Sequence, residues 1–371
     1  MGATAPEKKA RLEELLHELL AIPSPTGQER AIAERIVALL ARTPLAGHGL
    51  LRLGNGLVAG PPPPDGRPTL ALLGHLDTVP QGGCPAAGSG DGQHIRGRGA
   101  CDMKAGLACM LLLAETLCPA TGPCRLMYVF YDREEGPYAE NGLGPLLAAS
   151  AELQGASCAL VLEPTGGALQ LGCLGSLHVR LRIHGRAAHS ARPWLGENAI
   201  HRSLPLLAAL ASFPGRAVVV DGLTYRESLS LTQLHAGGAR NVVPDLLEAN
   251  VNIRFAPVRP AAEAKDELRG LLPPSPPCEL EVVDECPAAL PHRHHPLLDA
   301  LRRSADLPLE PKQAWTDVAR LAASGIVAAN FGPGDPALAH RDDELVTREE
   351  LWCCYSILER FFSGGETAGT G

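Results

Sequence analysis

Apolar and polar positions follow two different rhythms along this chain, and the change between them marks its organisation. Short apolar runs at 69–73, 126–131, 159–162 and 325–331 read as strands, and they alternate with helical patterns such as 103–117. Alternation of this kind builds a parallel sheet flanked by helices. Residues 1–20 add a helix, because Leu12, Leu15, Leu16, Leu19 and Leu20 recur at helical spacing among Glu7, Lys8, Lys9, Arg11, Glu13 and Glu14. The prolines at 61–64 read as a loop and not a linker, since strand signals resume at once.

From about 175 to 286 the rhythm differs. Residues 177–183 alternate with period two, a helix is expected at 198–210, and strands at 228–234 and 248–255. A helix at 261–271 and a strand at 279–283 complete the set. That order, β-α-β-β-α-β, is the ferredoxin-like pattern. The α/β rhythm returns afterwards. The expected architecture is therefore an α/β catalytic domain with a mainly parallel sheet, formed by 1–174 and 287–371, with an inserted ferredoxin-like α+β lid at 175–286. The tail after Phe362 is expected to be disordered.

Composition narrows the class of partner. The 371 residues carry 33 Lys+Arg against 41 Asp+Glu, a formal charge of −8. That balance argues against nucleic acid or an anionic membrane surface as the main partner. The longest near-apolar stretch, 107–117, contains Glu115 and falls short of the ~20 residues a membrane span needs. The charged N-terminal pattern lacks the continuous apolar core of a signal peptide. Eleven cysteines without a C-x-x-C favour a reducing compartment, and a cytoplasmic location is expected. Of the basic residues 28 are Arg and only 5 Lys. This matters once an anionic substrate is considered.

Candidate chemistry lies at the strand ends. The first run leads into Gly74-His75-Leu76-Asp77-Thr78-Val79-Pro80, another into Asp132-Arg133-Glu134-Glu135-Gly136, a third into Glu163-Pro164-Thr165, and the last into Gly332-Pro333-Gly334-Asp335 with His340 following. In open α/β sheets, ligands bind beyond the carboxyl ends of the strands. Asp102, just before the helix at 103–117, would join the same edge through a βα loop, or would cap that helix. Two His and three carboxylates suit two divalent ions if one carboxylate bridges. Imidazole with oxygen ligands favours zinc, with cobalt or manganese as substitutes. Adjacent Glu134 and Glu135 can divide the work, one ligating and one deprotonating the attacking water. Asp77 is placed to accept the other N–H of the His75 ring.

At these residues the chain resembles the M20 family of dinuclear zinc amidohydrolases, and within it the succinyl-diaminopimelate desuccinylases. The matching pieces are His75-Leu-Asp77-Thr-Val-Pro, Gly97-Arg-Gly-Ala-Cys-Asp102-Met-Lys, Glu134-Glu135, Glu163-Pro-Thr and Gly185-Arg-Ala-Ala-His189-Ser-Ala-Arg-Pro. Asn241-Val-Val-Pro, Thr316-Asp-Val-Ala-Arg320 and Phe331-Gly-Pro-Gly-Asp…His340 follow in family order. The resemblance implies that His75 and Glu163 hold one zinc and Glu135 and His340 the other, with Asp102 bridging. It makes Glu134 the general base and Asp77 the residue that orients His75. It further implies a homodimer through the lid, with the partner's His189 completing an oxyanion site. Asn241 and Arg254 would address carboxylates of a small anionic N-acyl amino-acid substrate. Arg254 could equally be a cross-strand surface charge, and Thr316 either a substrate hydrogen-bonder or a helix cap.

The implied reaction is hydrolysis of N-succinyl-LL-2,6-diaminopimelate to succinate and LL-2,6-diaminopimelate. Other M20 activities stay open: acetylornithine deacetylase, N-acyl-amino-acid amidohydrolase, or di- or tripeptidase. A non-catalytic metal-binding protein is the alternative of another class. One departure bears on substrate. Many desuccinylases place a basic pair before the Gly-Ser that enters the lid, where this chain has Cys173-Leu174-Gly175-Ser176. Either Arg192, Arg254 or Arg320 would then have to grip the carboxylates, or the substrate differs.

Overall fold

The computed structural model describes residues 3–85, 88–119, 121–272 and 277–364; most of the Gly-rich tail expected to be disordered lies outside them. Two compact units emerge. The first comprises Met1–Leu171, His292–Glu310 and Arg320–Gly371, the second Gly172–Pro291 and Pro311–Ala319.

In the first unit, eight strands form one sheet. Its centre is parallel: Thr69–His75 lies between Arg125–Tyr131 and Cys158–Pro164, and Ala328–Gly332 pairs with the far side of Cys158–Pro164. Leu70, Leu72, Val129, Leu160 and Val161 are all buried, as the unbroken apolar runs require of strands covered on both faces. The flanks are antiparallel. Gly56–Ala59 pairs with Arg125–Tyr131 and folds back on Leu50–Leu53, a hairpin the strand reading does not include.

Two helices show how sequence sets the packing. Ala5–Leu20 begins with a capping box, the Thr4 and Glu7 side chains closing on each other's backbone, and buries its leucine stripe. The Lys104–Thr116 helix is buried from Lys104 to Ala114, which explains why its apolar pattern has no polar face. It can approach the sheet closely because Gly106 has no side chain. A Cβ there would stand 2.4 Å from the carbonyl oxygen of Leu162.

The second unit carries a five-stranded antiparallel sheet in the spatial order Arg216–Val220, Leu223–Ala236, Leu246–Phe255, Gly175–His184, Cys278–Cys286. Without Arg216–Val220 this is the ferredoxin-like arrangement. The extra strand returns through Asp221-Gly222, both at positive φ, the dihedrals a tight hairpin demands. Leu177, Val179, Leu181 and Ile183 pack with Ala199, Leu206 and Leu210 of one helix and Ala264 and Leu268 of another. The alternate residues His178, Arg180 and Arg182 lie on the opposite face.

The segment 311–319, expected with the larger domain, belongs instead to the second unit. Polar contacts explain this. Gln313 accepts from the backbone N–H of Arg226 and donates to the carbonyl of Thr224, and the Trp315 indole donates to the carbonyl of Pro287.

Candidate functional site

Three parallel strands and two loops of the first unit bring the predicted residues to one place. His75 ends its strand, Glu163 lies near the end of Cys158–Pro164, and Glu134 and Glu135 follow Arg125–Tyr131. His340 lies on the loop after Ala328–Gly332, and Asp102 precedes the Lys104–Thr116 helix. Arg133 takes a positive φ of 59°, unusual for a residue with a Cβ, and turns the chain into the Glu134-Glu135 pair. His340 does likewise at 65°.

Two donor groups share one carboxylate. His75 Nε2 lies 3.1 Å from Asp102 Oδ1 and 3.6 Å from Glu163 Oε1. His340 Nε2 lies 3.3 Å from Asp102 Oδ2 and 2.8 Å from Glu135 Oε1. In each group, His75–Asp102–Glu163 and Asp102–Glu135–His340, the ligand atoms fall within 4.8 Å of one another. Asp102 faces both with a different oxygen, as a bridging ligand must. The capping alternative for Asp102 is not seen: the N-cap of the helix is Met103, with no side-chain cap bond.

Electrostatics point the same way. Burial works to lower the His75 pKa, yet the hydrogen bond to Asp102 and the charges of Glu134, Asp102 and Glu163 hold it well above the ordinary 6.5. His340, beside Asp102 and Glu135, is pushed up to about 11. Burial opposes ionisation of Asp102, but its two histidine partners bring its pKa far down, while desolvation raises that of Glu135. Converging carboxylates with this demand for positive charge, and imidazole Nε2 atoms among them, fit two divalent cations.

Asp77 corrects one expectation. The His75 Nδ1 partner is the backbone carbonyl of Asp77 at 2.9 Å, with the carboxylate Oδ1 at 3.6 Å. The carboxylate instead accepts from the backbone N–H of Glu134 at 2.9 Å, the N–H of Glu135 at 3.0 Å and the Thr26 hydroxyl at 2.9 Å. Asp77 thus orients His75 through its main chain and the two glutamates through its side chain. Thr26 was not legible in the sequence, because its role depends on a contact 51 residues away.

His189, Asn241, Arg254 and Thr316 belong to the second unit. The short strands Ala188–His189 and Val242–Val243 pair, so His189 and Asn241 lie on adjoining segments, and the Asn241 carbonyl accepts from Ser190 N–H. His189 is exposed and its Nδ1 accepts from Ala191 N–H at 3.0 Å, which leaves the proton of a neutral ring on Nε2. Arg254 donates through Nε to Asn252 Oδ1, and Asn252 in turn donates to Ser176 Oγ. Thr316 does not cap. Its hydroxyl is buried and has no hydrogen-bond partner among the described residues. Cys173 and Leu174 are buried, so the position of the missing basic pair is apolar. In the first unit Arg320 donates to the Tyr138 carbonyl and lies 3.8 Å from the centroid of its ring.

The model of peptidase family M20/M25/M40 matches residues 71–363. The chain belongs to that family. Among its relatives, a Mycobacterium tuberculosis protein named "Putative succinyl-diaminopimelate desuccinylase DapE" is 41% identical over 352 residues, 95% of this chain and 98% of that protein. A Corynebacterium glutamicum protein named succinyl-diaminopimelate desuccinylase is 38% identical, covering 94% of this chain and 95% of its own length. The solved structure of the di-peptidase Dug1p from Saccharomyces cerevisiae shares the fold, with a TM-score of 0.76, 14% identity and coverage of 98% and 99% of the two chains. As an M20 member with two candidate ligand groups meeting at Asp102, this chain is a metal-dependent hydrolase. Among the described residues no helix is long and apolar enough to cross a membrane, and all eleven cysteines are unbridged.

Proposed function

We propose that the protein hydrolyses the succinyl amide of N-succinyl-LL-2,6-diaminopimelate, with two zinc ions as its cofactor. The observation that carries this reading is the pair of donor groups meeting at Asp102 beside Glu134, in a chain 38–41% identical over almost its full length to proteins named for that activity. His75 and Glu163 would hold one ion, Glu135 and His340 the other, with Asp102 shared. When bound, such a pair supplies Lewis-acid activation of water and of the amide carbonyl.

The remaining work falls to side chains of the chain itself. Glu134, its main chain fixed by Asp77, takes a proton from the attacking water and passes it to the departing amine as the C–N bond breaks. Succinate keeps the oxygen from water, and LL-2,6-diaminopimelate leaves as the free amine. His189 Nε2–H is the donor to the developing oxyanion, supplied by the second copy of a homodimer. Exposed Trp194, Leu195 and Leu204 in the second unit support an association surface there. Asn241, Arg254 and the unsatisfied Thr316 hydroxyl are the groups for substrate carboxylates and polar atoms.

Zinc content, light scattering for the dimer, and turnover of N-succinyl-diaminopimelate, N-acetylornithine and dipeptides side by side test the reading. Turnover of the acetylated or peptide substrates with none of the succinylated one would replace it by another M20 activity.

A further inference from the structure

A buried ion pair outside the ligand set joins all three loops on which the shared carboxylate depends. Arg98 and Glu344 are 7% and 1% exposed, and Arg98 Nη1 meets Glu344 Oε2 at 2.8 Å. The other Glu344 oxygen accepts two backbone N–H groups, from Cys101 at 3.0 Å and from Asp102 itself at 3.1 Å. Arg98 also donates to the carbonyl of Pro80 at 3.1 Å, past the His75–Asp77 segment, and to the carbonyl of Arg341 at 3.1 Å, next to His340. The Glu344 carbonyl accepts from Gly97 N–H at 3.2 Å, closing the strap from the other side.

We infer that Arg98 and Glu344 are positioning residues that set Asp102 between the two ligand groups and hold the His340 loop against it. The inference rests on the dinuclear reading of the site. The two groups do not depend equally on the pair. His75 pairs with Tyr131 at the end of its parallel ladder and Glu163 lies within the strand Cys158–Pro164, so both are carried by strands of the sheet. His340 sits on a loop at positive φ with a half-exposed side chain, and its neighbour Arg341 is tied to Arg98 by the main chain. Releasing the pair therefore loosens the Asp102–Glu135–His340 group more than the His75–Asp102–Glu163 group. The pair decides whether the second ion stays bound. Removing one partner also strands a buried charge, so a simple loss of stability must be separated from a loss of ion binding.

The test is titration of the metal-stripped full-length protein with Zn2+ against a chromogenic chelator, with Glu344→Gln and Arg98→Lys compared to wild type. Glu227→Gln is the control: that glutamate is equally buried and also arginine-paired, but lies in the second unit. The expected result is two ions per chain in wild type and in Glu227→Gln. In Glu344→Gln and Arg98→Lys the second ion should bind about 10- to 100-fold more weakly, with the first within about threefold of wild type. Thermal unfolding of the metal-free proteins gives the stability loss of each variant. Wild-type affinity for both ions in Glu344→Gln would overturn the inference. So would equal weakening of both ions, or second-ion weakening in Glu227→Gln at matched destabilisation. Fewer than two ions in the wild type itself would instead indict the dinuclear reading.

Discussion

Asp77 Oδ1 accepts the backbone N–H of Glu134 at 2.9 Å, so one carboxylate fixes the main chain of the residue proposed to move the proton. Its other oxygen receives Glu135 N–H and the Thr26 hydroxyl. Replacement of Asp77 by Asn puts an amide N–H2 against at least one of these donors. The expected outcome is a fall in kcat of about 100-fold with a smaller change in KM, because a displaced base costs rate more than binding. Thr26→Val, which removes only the hydroxyl donor, should cost less than Asp77→Asn. Steady-state kinetics on the succinylated substrate checks both.

Glu134→Ala should lower kcat by at least about 100-fold while leaving two metal ions per chain: Glu134 joins His75 and Glu135 in a third donor group but is absent from both groups that share Asp102. Metal analysis of the purified variant beside its kinetics separates a base from a ligand. Unchanged turnover would sink the mechanism, and loss of one ion would make Glu134 a ligand.

Chelation should abolish activity and lower the apparent melting temperature, and added zinc should restore both. Ions that bind only the folded chain stabilise it by mass action, about 4 kcal/mol at a concentration 1,000 times Kd. A melting temperature indifferent to chelator would contradict the cation fit of the site.

Glu227 gives a pH dependence distant in sequence from the ligands. Burial tends to raise its pKa, but the Ala256 N–H and the guanidinium groups of Arg259 and Arg216 win and hold it below the ordinary 4.5. The carboxylate therefore stabilises the fold fully above that ordinary value. As pH falls toward the lower folded value, the unfolded chain takes up the proton first and the stabilisation drains away. At pH 7, Glu227→Gln should cost about 3 kcal/mol. The gap from wild type should narrow as pH falls below the ordinary 4.5. Thermal melts on both sides of that value decide the matter, and a gap independent of pH would refute the assignment.

Gly106→Ala should destabilise by about 2 kcal/mol, because the new Cβ would meet the Leu162 carbonyl at 2.4 Å and push the helix off the sheet. Chemical denaturation is the measurement. Destabilisation without any change in ion stoichiometry would confine the effect to packing.

The sequence by itself determined most of the elements and the candidate ligands. Runs such as Leu70–Leu73 and the two-residue alternation from Leu177 to Ile183 are local statements about which faces must be buried, so the strands they predict lie where expected. His75, Asp102, Glu135, Glu163 and His340 were readable because strand ends in a parallel sheet converge on one edge. The hairpin partner Arg216–Val220 had two signals, the apolar run 217–220 and the turn residues Asp221-Gly222, although the strand reading did not include it.

Only the tertiary structure decided what the supporting groups do. Asp77 was expected to serve His75 through its carboxylate, but whether an oxygen or a main-chain carbonyl meets a ring nitrogen is a matter of ångströms that spacing does not encode. The segment 311–319 went with the second unit through hydrogen bonds to residues some 90 positions earlier in the chain. Arg98 and Glu344 are 246 residues apart, and nothing local marks either as buried. Ligands are chosen by chemistry that a sequence shows, whereas the partners that hold them are chosen by distance, which exists only after the chain has folded.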